Sequence, residues 1–197
     1  MTKLIVMPDD DPSTVLLSTT DRAAIAADLA PLGVVYERWT ADEPLPADAD
    51  QTAVLTAYAA DVERIREQGY ASVDVARIHG DPDDAGFLAK AAEARSKFLA
   101  EHRHADDEVR FFVEGSGAFY LRLARTDGTE AVHVVLCEQG DFLFVPKGTR
   151  HWFDMGTRPG FAAIRFFQLE DGWVGDFTGD PIASRFPTFD QLVAEVG

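Results

Sequence analysis

The chain has 197 residues, 46% of them hydrophobic, a formal net charge of −16 and a single cysteine. That length can bury a core without staples, and one cysteine excludes an internal disulfide framework. The acidity repels phosphate backbones and anionic bilayers, and no apolar run approaches the ~20 residues of a membrane span, so neither nucleic acid nor membrane is an expected partner.

The apolar stretch Leu4 to Met7 is too short for a signal peptide and runs into Asp9-Asp10-Asp11, so a cytoplasmic protein is expected. Thr20 or Asp21 caps a helix through about Leu29, with Pro31 and Gly33 near its end. Val34 to Trp39 has strand character. After a loop at Pro44 and Pro46, Asp48-Ala49-Asp50-Gln51 starts a second helix. Val54, Leu55, Tyr58, Val62 and Ile65 recur on it at helical spacing, and Gly69 stops it. Val73, Val75 and Ile78 suggest a short strand, and Asp81-Pro82-Asp83-Asp84 opens a third helix to about Lys97.

From Glu108 strands dominate: Val109 to Glu114, Ala118 to Ala124, Ala131 to Cys137, Asp141 to Val145 and Phe161 to Gln168. Gly115-Ser116-Gly117, Thr126-Asp127-Gly128-Thr129 and Glu138-Gln139-Gly140 read as turns between the first four, the second with the Asp-Gly signature of a tight hairpin. Short strands at this spacing predict an antiparallel β-barrel or jelly roll with helices packed outside it, mainly β and α+β in class. No flexible linker interrupts the chain. The expectation is one domain over 1–197: a helix/strand part to 95, a barrel core over 96–170 and a C-terminal tail.

Chemistry concentrates in Glu101-His102-Arg103-His104-Ala105-Asp106-Asp107-Glu108-Val109-Arg110-Phe111-Phe112. Alternate side chains of an extended segment share a face. His102 and His104 then point one way, and Glu108, Arg110 and Phe112 share a face opposite Val109, Phe111 and Val113. A turn at Ala105 to Asp107 folds the two segments together. Downstream, Gly140 permits a turn, Asp141 to Val145 is a short apolar strand, and Pro146 and Gly148 bend the chain to present His151 at a strand start. Three imidazoles and one carboxylate suit a divalent transition metal, and the absence of thiolate argues against structural zinc. By itself His-X-His reads first as two exposed or partly satisfied histidines; His151 at its spacing favours the metal. Cys137, in Val134-Val135-Leu136-Cys137, reads as a buried small residue. His79 and His133 lack partners at ligand spacing, and His133 is expected to face away from the barrel interior.

His102, His104, Glu108 and Gly115, followed by Gly140, Pro146, Gly148 and His151, resemble the two motifs of the cupin superfamily. Ser96 and Met155 depart from it, where a Gly and an Asn are usual. The words Lys97 to His104, Asp107 to Gly115, His151-Trp152-Phe153-Asp154-Met155-Gly156, Ala163-Ile164-Arg165-Phe166-Phe167 and Gly172-Trp173 are similar to the bacterial acireductone dioxygenase family, over about Lys97 to Phe186. The resemblance implies a place in methionine salvage. The partners would be a small acireductone, 1,2-dihydroxy-3-keto-5-methylthiopentene, and O2. One Fe2+ or Ni2+ per chain would be held by His102, His104, Glu108 and His151, in a monomer.

The resemblance also implies roles for neighbours. Arg110, always charged, stabilises the anionic substrate; alternatively it pairs with Glu114, Asp107 or another carboxylate. Phe98 and Phe153 match pocket positions, and Arg165 and Trp173 line the same cavity; the aromatics are equally plain core. Glu101 and Asp107 match acidic neighbours associated with metal incorporation; otherwise they are solvated charges or acceptors that orient a ligand histidine. The rival expectations are another metal-dependent cupin (a different dioxygenase or a sugar isomerase) and a non-enzymatic ligand-binding cupin.

Overall fold

The structure, a computed structural model, describes residues 1–125 and 127–194. The first half runs β1 (Lys3–Pro8), β2 (Leu17–Thr19), α1 (Arg22–Leu29), β3 (Val35–Arg38), α2 (Gln51–Ala57), α3 (Ala59–Arg66), β4 (Ser72–Ile78) and α4 (Ala85–Phe98). The second half runs β5 (His102–Arg103), β6 (Glu108–Ala124), β7 (Glu130–Glu138), β8 (Asp141–Val145), β9 (Arg150–Asp154), β10 (Phe161–Phe167), β11 (Asp176–Phe177), a 3-10 turn (Pro181–Arg185) and α5 (Phe189–Ala194).

Aspartates start three of the helices, as their positions in the sequence suggest. Asp21 accepts from the Ala24 amide at 2.9 Å, Asp50 from Ala53 at 2.8 Å and Asp84 from Gly86 at 2.8 Å. Each satisfies an amide that a helix start leaves unpaired, worth about 1 kcal/mol. The second expected helix is divided in two at Tyr58, whose backbone (φ −109°, ψ 29°) leaves helical geometry. The Tyr58 ring stands edge-on to Phe111 of β6, 5.4 Å between centroids, so packing against the sheet overrides the local helical pattern there.

All strand pairs are antiparallel. One sheet runs β11-β5-β9-β6-β7-β1-β2; the other pairs β4 with β10, β10 with β6, β6 with β8 and β8 with β3. The core expected over 96–170 thus takes β1 to β4 from the residues before it. The ladder does not close among the described residues, so the expected barrel is an open pair of sheets.

Both sheets share β6. Gly115-Ser116-Gly117 is not a turn: the chain continues through it as one strand of 17 residues. The register against β10 shifts beside Val113, a bulge that inserts one residue and flips the alternation. Even-numbered side chains face inward up to Phe112, and odd-numbered ones from Phe119 to Leu123. Gly115 sits at φ +63°, and an added Cβ would lie 1.7 Å from the Gly160 carbonyl oxygen, so only glycine permits this crossing between sheets. The hairpin at Asp127-Gly128 does form, its Gly128 amide bonded to the Arg125 carbonyl at 3.0 Å; Thr126, the first residue of that expected turn, lies outside the described residues.

Three apolar clusters follow from this alternation. The central one lies between the sheets, with Phe112, Phe119, Leu121, Val135, Leu143, Phe153, Phe161 and Ile25 and Leu29 of α1. A second joins the outer face of β6, β8 and β10 to Val54, Tyr58, Val62 and Ile65 of α2 and α3. A third joins the outer face of β1, β7 and β9 to Ile182, Phe186 and Leu192 of the C-terminal segment. His133 corrects an expectation. It shares its face of β7 with Ala131, Val135 and Cys137, so it points inward, with Nε2 3.6 Å from Asp28 of α1. Cys137 is buried, and burial pushes its thiol well above the ordinary value, so it is inert. No helix among the described residues is long and apolar enough to cross a membrane.

Candidate metal centre

The centre forms where β5, the start of β6 and β9 meet. His102 of β5 pairs directly with His151 of β9, and Leu121 of β6 pairs with His151 on its other side. The ring centroids lie 4.5 Å (His102–His151), 5.0 Å (His102–His104) and 5.1 Å (His104–His151) apart. One ligand atom from each lies within 4.8 Å of the others, and all three side chains are buried. The Pro146–Gly148 bend is fixed from the same place: the Gly148 amide donates to the His104 carbonyl at 2.9 Å.

Each imidazole is held in one tautomer by a main-chain carbonyl. Nδ1 of His102 lies 2.8 Å from the Ala100 carbonyl oxygen, Nδ1 of His104 lies 2.9 Å from that of Val174, and Nδ1 of His151 lies 2.9 Å from that of Thr149. A carbonyl only accepts, so each Nδ1 carries the proton and donates, leaving each Nε2 with a free lone pair. Glu101 and Asp107 do not orient these rings. Glu101, buried, accepts from the Thr178 hydroxyl at 2.7 Å and lies 3.5 Å from Arg122. Asp107 accepts from the Tyr70 hydroxyl at 2.8 Å and the Lys147 amide at 2.9 Å.

Glu108 stands beside the imidazoles, its Oε2 3.5 Å from Nε2 of His104. Its Oε1 takes the Arg110 guanidinium, while Oε2 has no hydrogen-bond partner; Nε2 of His151 is likewise buried and unpartnered. Two buried acceptors without partners, facing a histidine cluster, fit a cation, and imidazole nitrogens with one carboxylate suit a divalent transition ion. Arg110 is therefore paired with Glu108 itself; Glu114 is taken by Arg77 at 3.0 Å.

Electrostatics prepare the same arrangement. Burial lowers His151 to about 4 and also lowers His102, so both are neutral at pH 7. Burial pushes Glu108 up, but Arg110, His151 and His104 outweigh it and hold the carboxyl below its ordinary value. Burial brings Arg110 down to about 10, against the pull of Glu108, and leaves it charged at pH 7.

Around this core, Phe153 lies two residues beyond His151 on the same face, and Phe98 ends α4 against the interior cluster. Arg165 pairs across the sheet with Arg110 and is held by Asp74 at 2.6 and 2.5 Å. Trp173 lies in the loop before β11, more than half exposed rather than enclosed. The segment 168–178 crosses the centre. Asp106 pins its start, accepting the Gln168 and Leu169 amides at 2.7 and 2.8 Å, and Glu101 holds Thr178 at its end. Sequence reading missed Asp106 as an anchor and the carbonyls of Ala100, Thr149 and Val174. An acidic neighbour among several gives no sign of its partners, and a carbonyl carries no residue signature.

Residues 3–175 match the sequence model of the ARD/ARD' family. The chain belongs to that family. It is 58% identical over 192 residues to the acireductone dioxygenase of Parvibaculum lavamentivorans, covering 97% of this chain and 98% of that protein. It is 54% identical over 194 residues to acireductone dioxygenase 1 of Nocardia farcinica, covering 98% of this chain and all (100%) of that protein. Among solved structures, the acireductone dioxygenase from Bacillus anthracis with a cadmium ion in its active centre superposes with a TM-score of 0.72 at 26% identity, over 90% of this chain and 98% of that one. A fold shared with that structure and an inward histidine cluster therefore coincide in this chain.

Proposed function

We propose that this chain is an acireductone dioxygenase of methionine salvage, holding one Fe2+ or Ni2+ through Nε2 of His102, His104 and His151 and the free oxygen of Glu108. With O2, 1,2-dihydroxy-3-keto-5-methylthiopentene would give formate and 4-methylthio-2-oxobutanoate in the iron form, or formate, carbon monoxide and 3-methylthiopropanoate in the nickel form. One observation carries the reading: three tautomer-locked imidazoles whose free nitrogens converge beside an unpartnered carboxylate oxygen. Family membership supports the substrate.

A bound iron or nickel ion supplies Lewis acidity and a template for the enediolate and dioxygen. The chain's residues do the rest. The carbonyls of Ala100, Val174 and Thr149 hold the imidazoles in one tautomer and aim their Nε2 atoms at one point. Arg110 fixes Glu108 and sets a permanent positive charge beside the site, which offsets the charge of a substrate dianion. Arg165, held by Asp74, adds a second cation on the same face. Phe98 and Phe153 keep the interior apolar for a thioether tail, and Trp173 stands at the exposed rim.

The test is metal analysis of the purified protein, then anaerobic addition of the acireductone followed by oxygen. Loss of the substrate with one formate per turnover is expected; carbon monoxide separates the nickel form from the iron form. Bound metal without that turnover would assign the site to another cupin reaction, and substrate binding without any turnover to a ligand-binding cupin.

A further inference from the structure

Gly117 lies on the inward face of β6, opposite Cys137 of β7. Its backbone is not in the left-handed region, so nothing in its conformation requires glycine. The space above it does. A Cβ added at Gly117 would lie 2.4 Å from Cζ and 2.7 Å from Cε2 of Phe153. The Phe153 ring rests on the bare main chain of β6. Its other neighbours are rings: Phe119 at 4.8 Å, Phe161 at 5.4 Å and Phe112 at 6.4 Å between centroids.

The strand register gives this contact a direction. Leu121 pairs with His151, Phe119 with Phe153 and Ala118 with Asp154, so Gly117 lies one further step from the histidine row than Phe153. The ring leans over Gly117 and away from His151. With aromatic neighbours on β6 and β10, a side chain at 117 drives the ring end back toward the metal centre. That ring end, unlike the backbone, is able to move.

We propose that Gly117 is a specificity-determining residue. By lacking a side chain it lets Phe153 lie back from the histidine row, and it thereby sets the length of substrate tail that fits beside the metal centre. This rests on the acireductone reading, in which the tail is a methylthioethyl group. Gly117 touches no reacting atom and acts only through Phe153.

The experiment compares kcat/KM for three acireductones: one ending in a methyl group, one with the methylthioethyl tail and one with a propylthioethyl tail. One methylene in an apolar pocket is worth roughly 10- to 200-fold. G117A is expected to lower the ratio of methylthioethyl to methyl substrate about tenfold, with bound metal unchanged. F153L in the otherwise native chain is expected to raise the ratio of propylthioethyl to methylthioethyl substrate, and G117A/F153L to regain the native methylthioethyl ratio. An unchanged ratio in G117A or in F153L, or a double variant that keeps the G117A ratio, would overturn the proposal. Should G117A not fold, an unchanged ratio in F153L overturns the proposal by itself. Were the native protein to consume none of the three, the acireductone reading would fail instead. A crystal structure of G117A would still report whether Phe153 has moved toward His151, and an unmoved ring would overturn the packing argument on its own.

Discussion

Replacing Arg110 by Met tests the electrostatics of the centre most directly. Glu108 and Arg110 are 6% and 8% exposed and form an ion pair. Removing one member of a buried pair strands the other and costs about 3–5 kcal/mol. At a urea dependence of about 2 kcal/mol per molar, the midpoint of the metal-free variant falls by about 2 M. Under the proposed ligation metal would change that result, because a divalent ion on Glu108 would replace the lost counter-charge. Metal-loaded Arg110→Met is therefore expected to lose less than half as much. Glu108→Gln with Arg110→Met removes both charges and is expected to regain most of the metal-free stability. Urea unfolding followed by circular dichroism, with and without metal, measures all of these. Equal losses in the metal-free and loaded forms would refute the reasoning, since Arg110 would then hold the fold rather than balance Glu108. Turnover should be lost while metal is kept; unchanged turnover would remove Arg110 from the mechanism.

His104→Ala removes one ligand and frees the Val174 carbonyl, so metal content and activity are expected to fall together, and full metal by elemental analysis would refute its ligand role. The metal-free protein should weaken in acid. His151 titrates at about 4 when folded and near 6.5 when unfolded, so the unfolded chain takes up the proton first. The resulting stability is present above about pH 6.5 and is lost as pH falls toward 4, about 2 kcal/mol of it between pH 7 and 5. Urea midpoints at the two pH values check this, and a midpoint that does not fall refutes it. Gly115→Ala would force a Cβ to within 1.7 Å of the Gly160 oxygen. A melting temperature lower by more than about 10 °C is expected, and a loss under about 2 °C would show that the strand crossing does not need glycine.

Much of this protein was written in local patterns. Asp21, Asp50 and Asp84 announce helix starts because a carboxylate satisfies nearby amides without tertiary help. Alternation placed Glu108, Arg110 and Phe112 together, and the spacing of His102, His104 and His151 announced a metal because few other arrangements use those residues in that order. Other features depended on partners far along the chain. β1 is a strand because β7 receives it, and β5 and β11 are too short to have a pattern of their own. Gly115 and Gly117 resemble a turn in sequence, yet one admits the Gly160 backbone and the other the Phe153 ring. His133 points inward because of the phase of β7, which flanking valines do not reveal when both faces are buried. The sequence alone determined which side chains could grip an ion. Only the tertiary structure decided which carbonyls lock the imidazoles and which cation holds Glu108, because those partners are brought near by packing and not by spacing.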